Sequence, residues 1–421
     1  MFMVGETSGD TLAVELLEAM REAGQEVEPF GAGGPKMKSS GVELEIDLTE
    51  HAVIGIWEAV RNYGKFKGFF DQLLQLALDR KPDAVICIDN PGFNLRFVRA
   101  LRKATAGSDW RPKIIYYISP QLWAWHESRV HQIAADVDQL LAIFPFEKAW
   151  YSKRVPELPV DFVGHPLVDR YPDLEFRDPK SQQRPRKLLL LPGSRAKEIS
   201  RHLPVMARAA AVVDAEPMMV FANESLAAQA KLLVPEVADW DLRIGGLHQA
   251  LGEADVAIAS SGTVTLECAW FRVPTVVLYK TSWITYLLGR FFVKVKHIAM
   301  PNVLAGREVF PEFIQREANA ENLAHEANRF LDDAGRRLEL REELDVIADS
   351  LGGRGAAGRA AVDCETFTKM RRSQPLIACA CLVGGCRWKV TVILCRIEGR
   401  RPSAAFLWES PTCLHQLHLR L

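Results

Sequence analysis

No stretch of about 18–20 apolar residues free of charge occurs in the 421 residues, which argues against a membrane-spanning helix. A secretory leader is missing too: Met1-Phe2-Met3-Val4 is apolar but meets Gly5-Glu6 at once, far short of a signal-peptide core. Without an export signal the expected compartment is a reducing cytoplasm with free cysteines. Cysteine is scarce over most of the length, with only Cys87 and Cys268 before residue 360. Charge of one sign is not in excess: 52 basic and 53 acidic residues leave −1, so nothing global points to nucleic acid. Gly31-Ala32-Gly33-Gly34 falls short of G-x-G-x-x-G, and no Walker A lysine motif exists. Paired C-x2-C spacing is also absent. Cys379, Cys381, Cys386, Cys395 and Cys413, with His415 and His418, therefore do not predict a zinc site. Two D-x-D triplets, Asp136–Asp138 and Asp239–Asp241, precede strands rather than follow them, and are taken as chance.

What is present is an ordinary globular composition, 48% hydrophobic and 25% charged, at a length that predicts two domains. The near-zero net charge conceals a division. Residues 371–421 hold eight Lys/Arg against two Asp/Glu and five of the eight cysteines, so residues 1–370 carry −7.

Short apolar runs alternate with amphipathic stretches. Predicted strands are Ala84–Asp89, Lys113–Ile118, Gln139–Phe144, Lys187–Leu191, Pro217–Ala222, Val256–Ser260 and Thr275–Tyr279. Predicted helices include Leu12–Ala23, Phe69–Arg80, Leu203–Asp214 and Glu321–Asp332. Unbroken apolar runs separated by helices indicate parallel strands covered on both faces, an α/β doubly wound architecture. The polar, Pro-containing stretch Asp173–Arg186 marks a boundary, after which the pattern restarts. The chain thus reads as two Rossmann-like halves facing a cleft, an N-terminal one over 1–172 and a C-terminal one over 187–350. Ligands of such sheets sit beyond the carboxyl ends of the strands, so the residues just after each strand carry the argument.

After the first strand comes Gly5-Glu6-Thr7-Ser8-Gly9-Asp10, where Ser8 or Asp10 can cap a helix starting near Thr11, leaving Glu6 unexplained. Asp89 ends a buried strand and is either a general base for a hydroxyl nucleophile or a cap for the next helix. The loop Ser119–His126 carries Trp123 and Trp125, which line a pocket or pack in the core. His165 is either catalytic or a satisfied polar residue. In the second half, Pro192-Gly193-Ser194-Arg195, with Glu198 beyond, offers free N–H groups and a permanent cation, which suits a diphosphate. Ser261-Gly262-Thr263 is a second small-residue turn opening a helix, and Glu267 inside it can accept hydrogen bonds from ribose hydroxyls.

These segments together resemble the lipid-A-disaccharide synthase family, inverting glycosyltransferases of the GT-B fold. The resemblance rests on GETSGD (5–10), GAGGPKM (31–37), IDNPGFN (88–94), YYISPQLWAW (116–125), FPFEKAWY (144–151), GHPL (164–167), LLPGSRAKEI (190–199), ASSGTVTLE (259–267), PTVVLYK (274–280) and MPNVLAGREVFPEFIQ (300–315). It implies transfer of 2,3-diacylglucosamine from its UDP donor to 2,3-diacylglucosamine 1-phosphate, giving a β-1,6 disaccharide and UDP, with no cofactor and no metal. It further implies Asp89 as the base on the acceptor 6-hydroxyl and Arg195 as the cation neutralising the leaving diphosphate. Gly262 and Thr263 would hold phosphate and Glu267 the ribose, while Asn302 and Gln315 contact the donor and Glu6 lines the acceptor side. Ser8, Trp123, Trp125, Ser194, Glu198 and Ser261 complete the expected substrate-binding set.

Acylated substrates require work at a lipid surface, so the expected location is peripheral on the inner face of the cytoplasmic membrane. Trp57–Phe70 mixes aromatics with Arg61, Lys65 and Lys67, as anionic headgroups favour, and Ser282–Lys296 has a similar blend. A homodimer is compatible with this reading; nucleic acid is not an expected partner. A UDP-sugar 2-epimerase of the same fold and an inactive nucleotide-sugar-binding homologue are the alternatives. The first strand has only about four residues before Gly5, short against the usual 5–6, so upstream residues are expected to be missing. Residues 351–370 are expected to return to the first domain as a closing helix, and the basic, Cys-rich tail 371–421 to be poorly ordered and dispensable.

Overall fold

The computed structural model describes residues 1–51, 63–171, 185–283, 286, 295–369, 382–383, 386–387, 390–395 and 403–408. Met1–Ala361 form one compact unit and Val362–Leu421 a second. The first unit holds two all-parallel sheets. Strands β1 (Phe2–Val4), β2 (Phe30–Gly33), β3 (Glu43–Asp47), β4 (Ala84–Ile88), β5 (Lys113–Tyr117), β6 (Gln139–Ala142) and β7 (Val160–Phe162) pair in the order 3-2-1-4-5-6-7. Strands β8 (Lys187–Leu191), β9 (Glu216–Phe221), β10 (Asp241–Ile244), β11 (Val256–Ser260), β12 (Thr275–Tyr279) and β13 (Glu312–Ile314) pair in the order 10-9-8-11-12-13. In both sheets the order reverses beside the first strand, so each has a switch point where connections leave in opposite directions and open a crevice.

The apolar runs become the central strands because helices cover both faces. Leu188–Leu191 and all of Val256–Ser260 are buried, as a doubly covered parallel sheet requires. β1 is only three residues long yet lies between β2 and β4, and the Met1 amino group donates to the Ala84 carbonyl at 2.8 Å. Burial pushes that amino group down to about 5.

The first helix differs from expectation. It spans Thr7–Glu22, with Glu6 as its N-cap residue and no side-chain cap bond. Asp10 does not cap it. Its carboxylate instead accepts N–H bonds from Gly34 (2.9 Å), Met37 (3.1 Å) and Lys36 (3.0 Å), at the start of the helix Pro35–Ser39. A fully buried carboxylate is tolerable there because three backbone donors replace its water. This bond set explains why GETSGD and GAGGPKM occur together: one supplies the anion, the other the amides.

Residues 351–361 bond to the end of the first half. His165 N–H donates to the Leu351 carbonyl (2.8 Å), Asp169 accepts from Gly355 and Ala356 N–H (2.6 and 2.8 Å), and Arg359 donates to the Val163 carbonyl (2.8 Å). In the second unit, Leu382–Val383 pairs antiparallel with Cys386–Arg387, and Val390–Cys395 with Ser403–Trp408.

The triple bond set predicts a cost for Asp10→Ala of about 2–4 kcal/mol, since three backbone donors, those of Gly34 and Met37 buried, lose a charged acceptor. Urea denaturation at neutral pH reads this as a lowered midpoint with unchanged slope; an unchanged midpoint would contradict it.

Candidate active site

Glu6 and Asp89 follow neighbouring strands, β1 and β4. Their closeness depends on Gly5, where a Cβ would run into the Asn90 side chain. Asp89 and Asn90 are both left-handed (φ 52° and 43°), a conformation that costs about 1–3 kcal/mol per residue unless the surroundings hold it. The surroundings do: the Asp89 carbonyl accepts from Tyr116 Oη (2.6 Å) and Asn94 Nδ2 (2.8 Å), and Asn94 Nδ2 also reaches the Met3 carbonyl (3.1 Å). Asn94 thereby ties the ends of β1 and β4 together.

Burial raises the Asp89 carboxyl above its ordinary value, and a hydrogen bond from the Asn90 N–H partly offsets this. The Glu6 carboxyl is raised by burial and then by the charge of Asp89, while the Arg195 guanidinium lowers it. Arg195 belongs to the second sheet, so residues from both halves share one electrostatic neighbourhood.

The loop after β5 separates the two tryptophans that the sequence treats alike. Trp123 is buried, donates Nε1–H to Glu147 Oε1 (3.0 Å), and packs edge-on to Phe146 and Phe144. Trp125 is 48% exposed beside the His126 ring. Glu147 is itself buried and accepts from the Phe144 N–H (3.1 Å). Ser119 and Tyr151 complete this polar layer beneath the loop. Ile118 and His126 on the same loop are left-handed (φ 66° and 57°). For β-branched Ile118 that geometry is costly, and it marks a loop held in place by its surroundings. His165 is buried and neutral: its Nδ1 accepts from the Leu167 N–H (3.1 Å), and burial pushes it down to about 3.

In the second half, Gly193 (φ 118°) opens the turn after β8 and leads to the helix Ala196–Ala210. Glu198 Oε2 accepts from Ser194 N–H (3.1 Å) and Arg195 N–H (3.3 Å), and Oε1 pairs with Arg195 Nη1 (3.2 Å). A Cβ at Gly193 would lie 2.5 Å from Glu198 Oε2, so glycine is required for both torsion and space. The Arg195 side chain remains 67% exposed. Beyond β11, Ser261 Oγ donates to the Ile298 carbonyl (2.9 Å), while Gly262 and Thr263 are exposed at the start of the helix Val264–Trp270. Glu267 accepts from Tyr171 Oη (3.1 Å), and its carboxyl is raised by burial. Ser8 is exposed on the first turn of its helix.

Asn302 and Gln315 are engaged within the protein. The Asn302 amide donates to Phe310 O and Glu312 Oε1 and accepts from the Val309 and Phe310 N–H groups, all at 2.7–2.8 Å. Gln315 (φ 55°) exchanges both its amide bonds with the Thr281 backbone. A contact to the donor substrate through the Asn302 side chain has to replace one of these bonds, whereas the Gln315 amide has one N–H and one oxygen lone pair beyond its two bonds to Thr281. His202 joins two turns of this sheet and was missed by sequence reasoning, since no local motif marks it.

The D-x-D aspartates are occupied elsewhere: Asp136 faces Arg99 (3.2 Å), Asp138 faces Arg102, and Asp241 faces Arg243 (2.7 Å). No group of three or more His, Cys, Asp or Glu suited to a metal occurs among the described residues. No helix among them is long and apolar enough to cross a membrane. Of the first aromatic–basic stretch, 57–62 lie outside the described residues; Lys65 and Lys67 are exposed, while Phe70 packs on Phe93 and Phe97. Most of the second stretch also lies outside; Trp283 is exposed with Arg316 over its ring.

Burial pushes Glu147 up to about 7 from an ordinary 4.5. A carboxyl raised on folding stabilises below about pH 4.5, and that contribution is lost as pH rises through about 7. The stability of wild type relative to Glu147→Gln should therefore decline between pH 4.5 and 7.5 in urea titrations. His165 opposes this trend equally in both proteins and cancels. A pH-independent difference would contradict the assignment.

A family profile for lipid-A-disaccharide synthetase matches residues 1–351. The lipid-A-disaccharide synthase of Trichlorobacter lovleyi is 37% identical over 375 residues, covering 86% of this chain and 95% of its own length. That of Syntrophus aciditrophicus is 36% identical over 384 residues, covering 88% and 97%. Among solved structures, the UDP-GlcNAc 2-epimerase from Neisseria meningitidis bound to UDP-GlcNAc superimposes with a TM-score of 0.58 at 12% identity, covering 87% and 98% of the two chains. CalG4, the calicheamicin glycosyltransferase, gives 0.55 at 14% identity over 87% and 97%. Such low identities show the fold alone, the paired parallel sheets of GT-B proteins, which transferases and epimerases share. The sequence relatives are specific where the fold is not: this chain belongs to the lipid-A-disaccharide synthase family, glycosyltransferases of lipid A biosynthesis.

Proposed function

We propose that the site joins UDP-2,3-diacylglucosamine to 2,3-diacylglucosamine 1-phosphate with inversion, Asp89 and Arg195 acting from opposite halves. What supports this reading is the family match together with Glu6 and Asp89 at the adjacent ends of β1 and β4 and the exposed Arg195 guanidinium near enough to lower the Glu6 carboxyl. Asp89 takes the proton from the acceptor 6-hydroxyl as its oxygen attacks the donor anomeric carbon. The bond to the UDP oxygen breaks on the far side, and Arg195 stabilises the charge that develops there. Its exposed guanidinium has N–H groups beyond the one bonded to Glu198. Glu198 shapes the turn by taking the Ser194 and Arg195 N–H groups that the sequence offered as free, so the exposed Ser194 side chain, with the Gly262 and Thr263 backbone, lies at the diphosphate. Glu267 accepts from the ribose hydroxyls, with Tyr171 fixing its orientation. Glu6 lines the acceptor side, and Trp125 supplies apolar surface for a sugar face or acyl chain.

Because both sugars carry acyl chains, we place the enzyme at the cytoplasmic face of the membrane. The exposed Lys65 and Lys67 on the helix Tyr63–Arg80 meet anionic headgroups there.

Purified protein given both substrates and EDTA should release UDP and disaccharide 1-phosphate in equal amounts. Arg195→Ala should lower kcat by about 10²–10³. No disaccharide from wild type, or undiminished turnover by Arg195→Ala, would overturn the reading. Epimerisation of UDP-N-acetylglucosamine without acceptor would favour the epimerase alternative.

A further inference from the structure

The imidazole of His202, on the helix Ala196–Ala210, is fully buried. Its Nδ1 lies 2.8 Å from the Pro192 carbonyl oxygen, and the Lys280 N–H points at its Nε2 from 3.0 Å. A carbonyl only accepts, so Nδ1 carries the hydrogen and Nε2 offers the lone pair. Burial lowers the basicity of the ring, with Arg201 acting in the same direction; the Pro192 carbonyl, Glu198 and the Lys280 carbonyl, 3.2 Å from Nε2, act against it. Every polar atom of this ring is thus committed to backbone.

The two backbone partners are not neighbours in the sheet. Pro192 follows β8 and begins the turn carrying Ser194 and Arg195, whereas Lys280 follows β12. β11 lies between those strands, so their terminal turns flank Ser261, Gly262 and Thr263. The bonded path continues from Lys280: its Nζ donates to Gln315 O (2.7 Å) and Ala318 O (3.0 Å), and the Gln315 amide closes on Thr281. The Arg195 turn, the β12 end and the left-handed Gln315 are therefore one hydrogen-bonded assembly with His202 as its only side-chain link to Pro192 among the described bonds.

We propose that His202 is a positioning residue for the nucleotide diphosphate of the donor, setting the spacing of the two turns that flank β11. It bonds to no substrate. Its contribution is to hold the Gly193–Arg195 turn at a fixed distance from β12, so that the Arg195 guanidinium is in place before the diphosphate arrives. This rests on the assignment of the diphosphate to that turn.

The test uses UDP itself, titrated calorimetrically into the full-length protein, together with KM for each substrate. His202→Leu removes both bonds. His202→Asn places an amide near the position of Nδ1 and retains the Pro192 bond, whereas His202→Gln reaches the position of Nε2 and retains only the Lys280 side. His202→Leu should weaken UDP binding about tenfold and raise donor KM to match, leaving acceptor KM within about twofold. His202→Asn should recover most of the affinity and His202→Gln little of it. Wild-type UDP affinity in His202→Leu, equal losses in all three variants, or acceptor KM rising with donor KM would overturn the proposal. Should His202→Leu fail to fold, the Asn and Gln pair decides alone. Arg195→Ala separates the two readings: if it binds UDP as wild type does, the diphosphate assignment fails. If it loses UDP while the His202 variants keep it, only the positioning role fails.

Discussion

Two carboxylates share the edge of the first sheet, and one guanidinium from the second sheet offsets them. Burial raises both Glu6 and Asp89, and the charge of Asp89 raises Glu6 further. Arg195 works against that repulsion from the other half. Much of the surrounding geometry serves this arrangement. Gly5 allows Asn90 to lie against it, Asn94 and Tyr116 hold the strained Asp89 backbone by its carbonyl, and Asp10 anchors the loop after β2. Among the described residues, five of the seven left-handed non-glycine residues, Asp89, Asn90, Ile118, His126 and Gln315, follow the carboxyl ends of strands. Strain concentrated at that edge is what a preformed site requires.

The central strands were readable because burial on both faces leaves an unbroken apolar run. Lys187–Leu191, Val256–Ser260 and Thr275–Tyr279 have the predicted bounds. The peripheral strands were not. Glu43–Asp47 and Asp241–Ile244 lie at sheet edges, carry charge, and resemble loops in composition. Site residues divide in the same way. Positions just after buried strands were accessible to reasoning, whereas partners fixed by tertiary distance were not. Asp10 meets its amides 24 residues away, Tyr171 meets Glu267 across 96, and His202 meets Lys280 across 78. Trp123 is set apart from Trp125 by Glu147, Phe144 and Phe146, which no local pattern links to either.

The family match ends at residue 351 and the compact unit at 361, and the composition turns basic and Cys-rich from 371. These limits nearly coincide, so the −1 net charge averages an acidic family portion and a tail of different character. Among the described residues, every one assigned to the site precedes residue 351.

The pH dependence of kcat/KM for the transfer, in wild type, Glu6→Gln and Asp89→Asn, tests the central claim most directly. A general base must be ionised, so wild type should show an acid limb of unit slope. The account predicts that Glu6→Gln keeps this limb, and that Asp89→Asn loses it together with about 10²–10⁴-fold of the rate. An acid limb and near-normal rate persisting in Asp89→Asn while Glu6→Gln loses both would contradict it, and would make Glu6 the base.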